Sequence, residues 1–337
     1  MEKRTVNILW QGDTTEYRIL YPDKATATER RAAEELARFI GHGIRAVPDG
    51  GAPFDPEEPV ISVGDTSVFR ASRADLSGVE ADGYIVRTYG RTVVIAAKRQ
   101  SGILNGAYGF LRAVWGFKTY APDEFGTSDA EDMSFGALDI LDNPDFIGRD
   151  VHFKETMEGI YPFYASRMRL NGVRSVFAEG EGEGCAWCKR LWAHTQFRLL
   201  PKEKYFAQHP EWYSADSTTL CWTNEEARRE LTENLKKEIL ACPGAVFFSV
   251  AQEDGATRCE CDSCKASDAA YGGTAGTMMR FVNAVAADIE EWLKEAAPGR
   301  QVYLVTFAYQ NTLNAPVREE NGAFVPVHPS GGGRENG

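Results

Sequence analysis

Up to about residue 140 the chain alternates short apolar runs with helically striped stretches. Residues 17–21 and 59–63 read as strands, and Ala32, Ala33, Leu36, Phe39 and Ile40 lay an apolar stripe along a helix over 28–40. Thr26 and Glu29 have capping-box spacing at its start. Residues 83–87 and 92–96, joined around Gly90, predict a hairpin, and a helix over 101–115 should stop at Gly116. These elements predict a small α/β domain over residues 1–140. Gly102, Gly106 and Gly109 fit neither the P-loop nor the dinucleotide-binding spacing, so close packing of the helix against the sheet is their expected use.

From Asn143 the rhythm changes to apolar runs alternating with helical stretches. Strands are predicted over 149–153, 172–177, 245–250 and 302–307, with a further one at 219–222. Helices are predicted over 160–170, 224–241 and 277–297. Strand-then-helix alternation is the signature of a parallel sheet or barrel. The run 245–250 is apolar apart from Ser249, as in a strand covered on both faces, and it leads directly into Glu253 and Asp254. Acid chemistry at the C-terminal end of a strand is where α/β barrels keep their active sites. Neighbouring side chains on an extended strand diverge, so one of the two acids would aim at the axis while the other orients it or caps the next turn. An acidic Asp-Gly turn is the alternative.

Composition narrows the partners. A net charge of −12 opposes nucleic acid and acidic membranes. No run of about 18 apolar residues suggests a membrane span, and the first residues lack a secretory leader, so a cytoplasmic location is expected unless a longer N-terminus adds one. Five of the seven cysteines cluster, as Cys185 and Cys188 and as Cys259, Cys261 and Cys264. Loops after neighbouring barrel strands open on one face, so the two clusters could share a closed structural zinc site. Free buried thiols or a disulfide are the alternatives. No histidine stands at ligand spacing beside either cluster, which disfavours a catalytic zinc, and no other cofactor is required.

The residues also carry a resemblance. Asp82, Gly83 and Tyr84, the run 102–111 and the run 117–124 resemble the accessory domain that precedes the barrel in β-N-acetylhexosaminidases and α-glucuronidases. The blocks 194–213, 220–224, 249–255 with Cys259, Cys261 and Cys264, 276–283 and 306–310 resemble an uncharacterised bacterial family of glycoside-hydrolase-like barrels, a domain of unknown function. The resemblance implies a (β/α)8 barrel over 141–315 with its sugar site at the strand ends. Where family members often show Ser-Gln-Asn-Asp-Gly, this chain has Ala251, Gln252, Glu253, Asp254 and Gly255, so Asp254 keeps the family position.

Glycoside cleavage usually takes one carboxylic acid to protonate the leaving oxygen and one carboxylate to attack or to activate water. Asp254 and Glu253 are the catalytic candidates. Arg149 suits a sugar acid group, or else a salt bridge, with Asp150 and His152 on the opposite face of the same strand. His152, His194, Trp222 and Tyr309 complete the expected substrate contacts. Trp187, Trp192, Trp212 and Tyr213 offer further rings, for sugar stacking or for the core. Glu179, Glu181 and Glu183, spaced by glycines, read mainly as a solvated loop. A hydrolase acting on an oligosaccharide that contains a uronic acid or amino sugar is expected, with a non-catalytic carbohydrate binder as the alternative. The residues after Asn143 are fewer than the about 250 of a complete barrel, and 316–337 are polar and Gly-rich, so a truncated barrel with an irregular tail is expected.

Overall fold

The computed structural model describes residues 6–127, 130–157, 160–161, 163–172, 180, 186–255, 257–320 and 323–326. The chain divides into two compact units, Met1–Cys185 and Ala186–Gly337, each a mixture of α and β.

The first unit is built on a six-stranded sheet in the order Asp139–Asp142, Tyr84–Tyr89, Thr92–Ala96, Val60–Val63, Arg18–Tyr21 and Ala46–Pro48. The first three strands are antiparallel and the others join in parallel. The period of two sends Ile19, Ile61, Val63, Val93 and Ile95 into one layer with the helices Ala27–Ile40 and Gln100–Trp115. Leu20, Val60, Val94 and Ala96 go to the other face, where Val68 and Phe69 of the helix Ser67–Ser72 meet them. The capping box forms as expected: Thr26 Oγ1 accepts from the Glu29 amide at 3.2 Å, and Glu29 returns a carboxylate to the Thr26 amide at 2.9 Å. The hairpin forms, and Gly116 ends its helix in the left-handed conformation at φ 69°. The helical glycines have the packing use expected of them. A Cβ on Gly102 would lie 2.3 Å from the Gly83 carbonyl oxygen, and one on Gly106 would lie 2.7 Å from Ile95.

Residues beyond Asn143 remain tied to this unit by charge. Arg167 pairs with Glu35 at 3.0 Å, with both side chains almost fully buried, and Tyr108 donates to the same carboxylate at 2.8 Å. Arg169 pairs with Asp142 at 2.9 Å. The expected strand at 149–153 is irregular, because both backbone groups of Arg149 are taken by Asn171: its amide donates to Asn171 Oδ1 and its carbonyl accepts from the Asn171 amide. The expected helix at 160–170 shrinks to the single turn Tyr164–Arg167, between Phe163 and Arg169 in left-handed conformations. The expected strand at 172–177 and the acids Glu179, Glu181 and Glu183 lie outside the described residues, apart from Gly172 itself.

In the second unit, Phe247–Ser249 pairs in parallel with Tyr303–Val305. On its other side the amides of Val246 and Phe247 donate to Ala186 O and that of Ser249 to Leu191 O, while Trp187 bridges Phe247 in parallel. Three parallel backbones therefore stand side by side, and the described residues contain no closed barrel. The helix Glu225–Ala241 buries Ala227, Leu231, Leu235 and Ile239, and Thr274–Ala296 buries Met278, Phe281, Val282, Val285 and Ile289. These stripes close with Phe248 and Val250 into one core. Asn224 caps the first of these helices by accepting from the Ala227 amide at 2.9 Å. The expected strand at 219–222 is only an isolated bridge between Leu220 and Tyr213, closed by a tight turn in which the Ser214 amide donates to Thr219 O. Within the expected irregular tail, Val317–Glu320 and Ala323–Pro326 pair as an antiparallel hairpin. No helix among the described residues is long and apolar enough to cross a membrane.

Gly102→Ala puts a methyl group against the Gly83 carbonyl oxygen, a contact that backbone must move to relieve. Overpacking of this kind is expected to lower unfolding free energy by about 1–3 kcal/mol, read by urea denaturation. A neutral or stabilising result would show that the helix does not need the close approach.

Candidate functional site

The loop after Phe247–Ser249 begins with a fully buried amide. Gln252 donates from Nε2 to Tyr309 O at 2.9 Å, and its Oε1 accepts from Thr312 Oγ1 at 2.8 Å. Its own carbonyl lies 2.6 Å from His194 Nδ1. A carbonyl has no proton to give, so Nδ1 carries it, and in the neutral tautomer that this fixes, Nε2 is the acceptor. The His194 ring packs edge-on against Phe307 at 5.3 Å and tilted against Tyr309 at 5.9 Å. Thr195 reinforces the same junction by donating to Ser249 O at 2.7 Å and accepting from the Ala251 amide at 3.2 Å. Three segments that follow three parallel backbones are thus fastened together at their C-terminal ends.

The two acids separate, and Asp254 and Gly255 form the Asp-Gly turn given as the alternative, with Gly255 left-handed at φ 68°. Glu253 accepts from the Phe197 amide at 2.8 Å, at the start of the turn Gln196–Leu199. Asp254 is exposed and accepts from the Tyr309 hydroxyl at 2.8 Å. That hydrogen bond, followed by the carboxylate's charge, raises the Tyr309 phenol above the ordinary tyrosine value. Two of the residues beside this group hold left-handed backbones without being glycine, Ala193 at φ 63° and Gln310 at φ 50°. Each adjoins a side chain of the group, His194 and Tyr309. Such conformations cost free energy and collect at functional sites.

The structure brings Asp254 and His194 each against Tyr309 and turns Glu253 to the Phe197 amide. Trp222 is elsewhere: its indole is buried in the core, with Nε1 donating to Gln196 Oε1 at 3.2 Å, so no ring face is open for a sugar. Trp212 and Tyr213 are core residues too. Arg149 and His152 belong to the first unit. The Arg149 guanidinium donates to Asp82 at 2.7 Å, to Arg169 O at 2.7 Å and to Phe146 O at 2.9 Å, which is the salt-bridge alternative. His152 is exposed, on a backbone that is not a strand.

The cysteines regroup. Cys259, Cys261 and Cys264 gather with Cys221, all four sulfurs lying within 4.8 Å of one another. Cys188 instead meets Cys242 at 2.8 Å, and burial with that contact pushes its thiol up to about 11. Cys185 lies outside the described residues. Cys221 stands apart from the ligand set that spacing suggests, since it has no neighbouring cysteine in sequence. Its signal is that it falls inside the block 220–224, one of those carrying the family resemblance.

Residues 129–328 match the model of DUF4838, a domain of unknown function. The chain belongs to the DUF4838 family. No curated protein matches it. Among solved structures, this DUF4838 chain is similar to BtGH115A, a family GH115 4-O-methyl-α-glucuronidase with specificity for decorated arabinogalactans, at 12% identity and a TM-score of 0.50, over 91% of this chain and 43% of that one. It also matches CpGH84D at 13% identity and a TM-score of 0.43, over 90% of this chain and 48% of that one. The Flavobacterium johnsoniae chitobiase FjGH20 matches at 13% identity and a TM-score of 0.40, over 90% and 51%. The DUF4838 chain thus spans about half the length of the solved structures it matches.

The different placements of the two acids are separable by experiment. Glu253→Ala removes the acceptor of a helix-start amide and is expected to cost about 1 kcal/mol in urea denaturation, whereas Asp254→Ala should leave the midpoint nearly unchanged. Equal losses would show that both acids are structural. Tyr309 has a folded pKa raised above its unfolded one, so its contribution to stability is complete below the ordinary tyrosine range and is lost as pH rises through the folded value. In Asp254→Asn the Tyr309 phenol should titrate at lower pH than in the parent chain. The readout is ultraviolet difference titration with Tyr309→Phe as subtraction control, and an unmoved titration would show that the hydrogen bond is absent in solution.

Proposed function

We propose that this chain binds a carbohydrate at the strand ends around Asp254 and hydrolyses a glycosidic bond there, the sugar being a uronic-acid or amino-sugar unit of an oligosaccharide. The observation that carries the reading is the meeting of Asp254, Tyr309 and His194 on three loops at the C-terminal ends of three parallel backbones, the position where sheets and barrels of this class hold their ligands. The fold shared with the glucuronidase BtGH115A supports it.

In this reading Asp254 is the anionic partner, which attacks, activates water or orients a substrate group. Tyr309, protonated at neutral pH as a phenol ordinarily is, donates to one oxygen of that carboxylate and fixes it. His194 Nε2 accepts from a sugar hydroxyl. A second reading, carbohydrate binding without cleavage, is favoured by the engagement of Glu253 with the Phe197 amide, which leaves Asp254 as the exposed acid of the adjacent pair.

A panel of aryl glycosides and glucuronides separates the two. Cleavage is expected for the parent chain and should fall by about 10²–10⁴-fold in Asp254→Asn with the melting temperature kept. Turnover by Asp254→Asn at the parental rate would sink the assignment. A sugar-dependent rise in melting temperature without turnover would instead establish the binding reading.

A further inference from the structure

We propose that Cys221, Cys259, Cys261 and Cys264 are the four thiolate ligands of a structural zinc ion that fastens the loop after Asp254 to the segment 212–224. Zinc-to-sulfur bonds of about 2.3 Å arranged tetrahedrally put sulfurs about 3.8 Å apart. Cys221 Sγ lies 3.7 Å from Cys261 Sγ and 3.7 Å from Cys264 Sγ, and the whole group lies within 4.8 Å. Those separations are far longer than the about 2.05 Å of a disulfide and match the edge of a tetrahedron around one ion.

The surroundings suit thiolates. The helix Asp262–Ala270 starts at the cluster, and the Cys264 amide donates to Cys261 Sγ at 3.4 Å, so both the amide and the positive end of the helix face sulfur. The Thr223 hydroxyl lies 3.2 Å from Cys264 Sγ and 3.5 Å from Cys221 Sγ, within reach to donate to either sulfur and to orient it, as outer-shell groups do. Cys221, Cys259 and Cys264 are buried and form a small cluster of their own, and with Cys261 they supply all four ligands that a structural site requires. Four thiolates take zinc or iron, and zinc binds the more tightly of the two divalent ions.

The placement gives the ion a task. Thr257 donates to Asp216 and its amide to Thr218 Oγ1 at 3.1 Å, so the same loop is already stitched to the same segment just before the cysteines. A covalently coordinated ion makes that seam permanent close to Asp254. The inference does not depend on whether Asp254 cleaves anything.

The test uses the whole chain, expressed with zinc and purified without a metal-affinity step. Elemental analysis should give about one zinc per chain, and chelation should lower the melting temperature. Cobalt(II) put in its place should show the charge-transfer and ligand-field bands of a four-sulfur tetrahedral site. Cys261 is exposed, so Cys261→Ser should fold, and its zinc affinity should fall by more than the about 10–100-fold that loss of an outer-shell partner costs. Cys188→Ser and Cys242→Ser should keep the parental zinc. Folded parent chain without zinc, iron in its place, a cobalt spectrum of mixed ligands, or parental affinity in Cys261→Ser would each overturn the proposal.

Discussion

One buried side-chain amide sets the geometry of the candidate site. Gln252 is sealed from water, so each of its polar atoms has to find a partner inside the protein, and the partners it finds lie on other loops. Its amide ties down the loop that carries Tyr309 and Thr312, and its carbonyl holds the imidazole of His194. Leaving any of these groups unpaired costs about 1–3 kcal/mol, so the loops register together or the core pays for the mismatch. Asp254 follows two positions later, after Glu253, which is itself tied to the Phe197 amide.

What was legible in the sequence is what local chemistry decides. The capping box at Thr26 and Glu29, the hairpin around Gly90, the helix stop at Gly116 and the strand before Glu253 all depend on residues within a few positions of one another. The helices of the second unit were equally readable, since Ala227, Leu231, Leu235 and Ile239 repeat at one face. The failures share a cause as well. At 149–153 the expected strand met a residue, Asn171, that bonds both backbone groups of Arg149 and so prevents a ladder. Cys221 joins a cluster some forty positions later in the chain, and no periodicity records such a meeting. For the acid pair, alternation says that the side chains part but not which one finds the Phe197 amide.

The boundaries of family and fold differ. The DUF4838 match begins at residue 129, yet Asp139–Asp142 is a strand of the first unit's sheet, and Arg167 is buried against Glu35 of that unit's first long helix. Breaking such a pair by removing one partner costs about 3–5 kcal/mol, because an uncompensated charge stays inside. A piece cut at the start of the family match would strand both the edge strand and the arginine. The start of sequence recurrence therefore falls inside the first structural unit and not at its edge.

Ala193 and Gln310 carry a consequence for how this protein can change. Each holds a backbone angle that glycine adopts freely, so glycine at either place would relieve local strain and slacken the chain beside His194 or Tyr309. Relief of strain and fixed placement of the His194 and Tyr309 side chains would then pull in opposite directions at the same two positions. A lineage selected only to survive warming would drift toward glycine there and let these loops loosen, whereas one selected to hold the two side chains in place would keep the strained residues and accept a lower melting point.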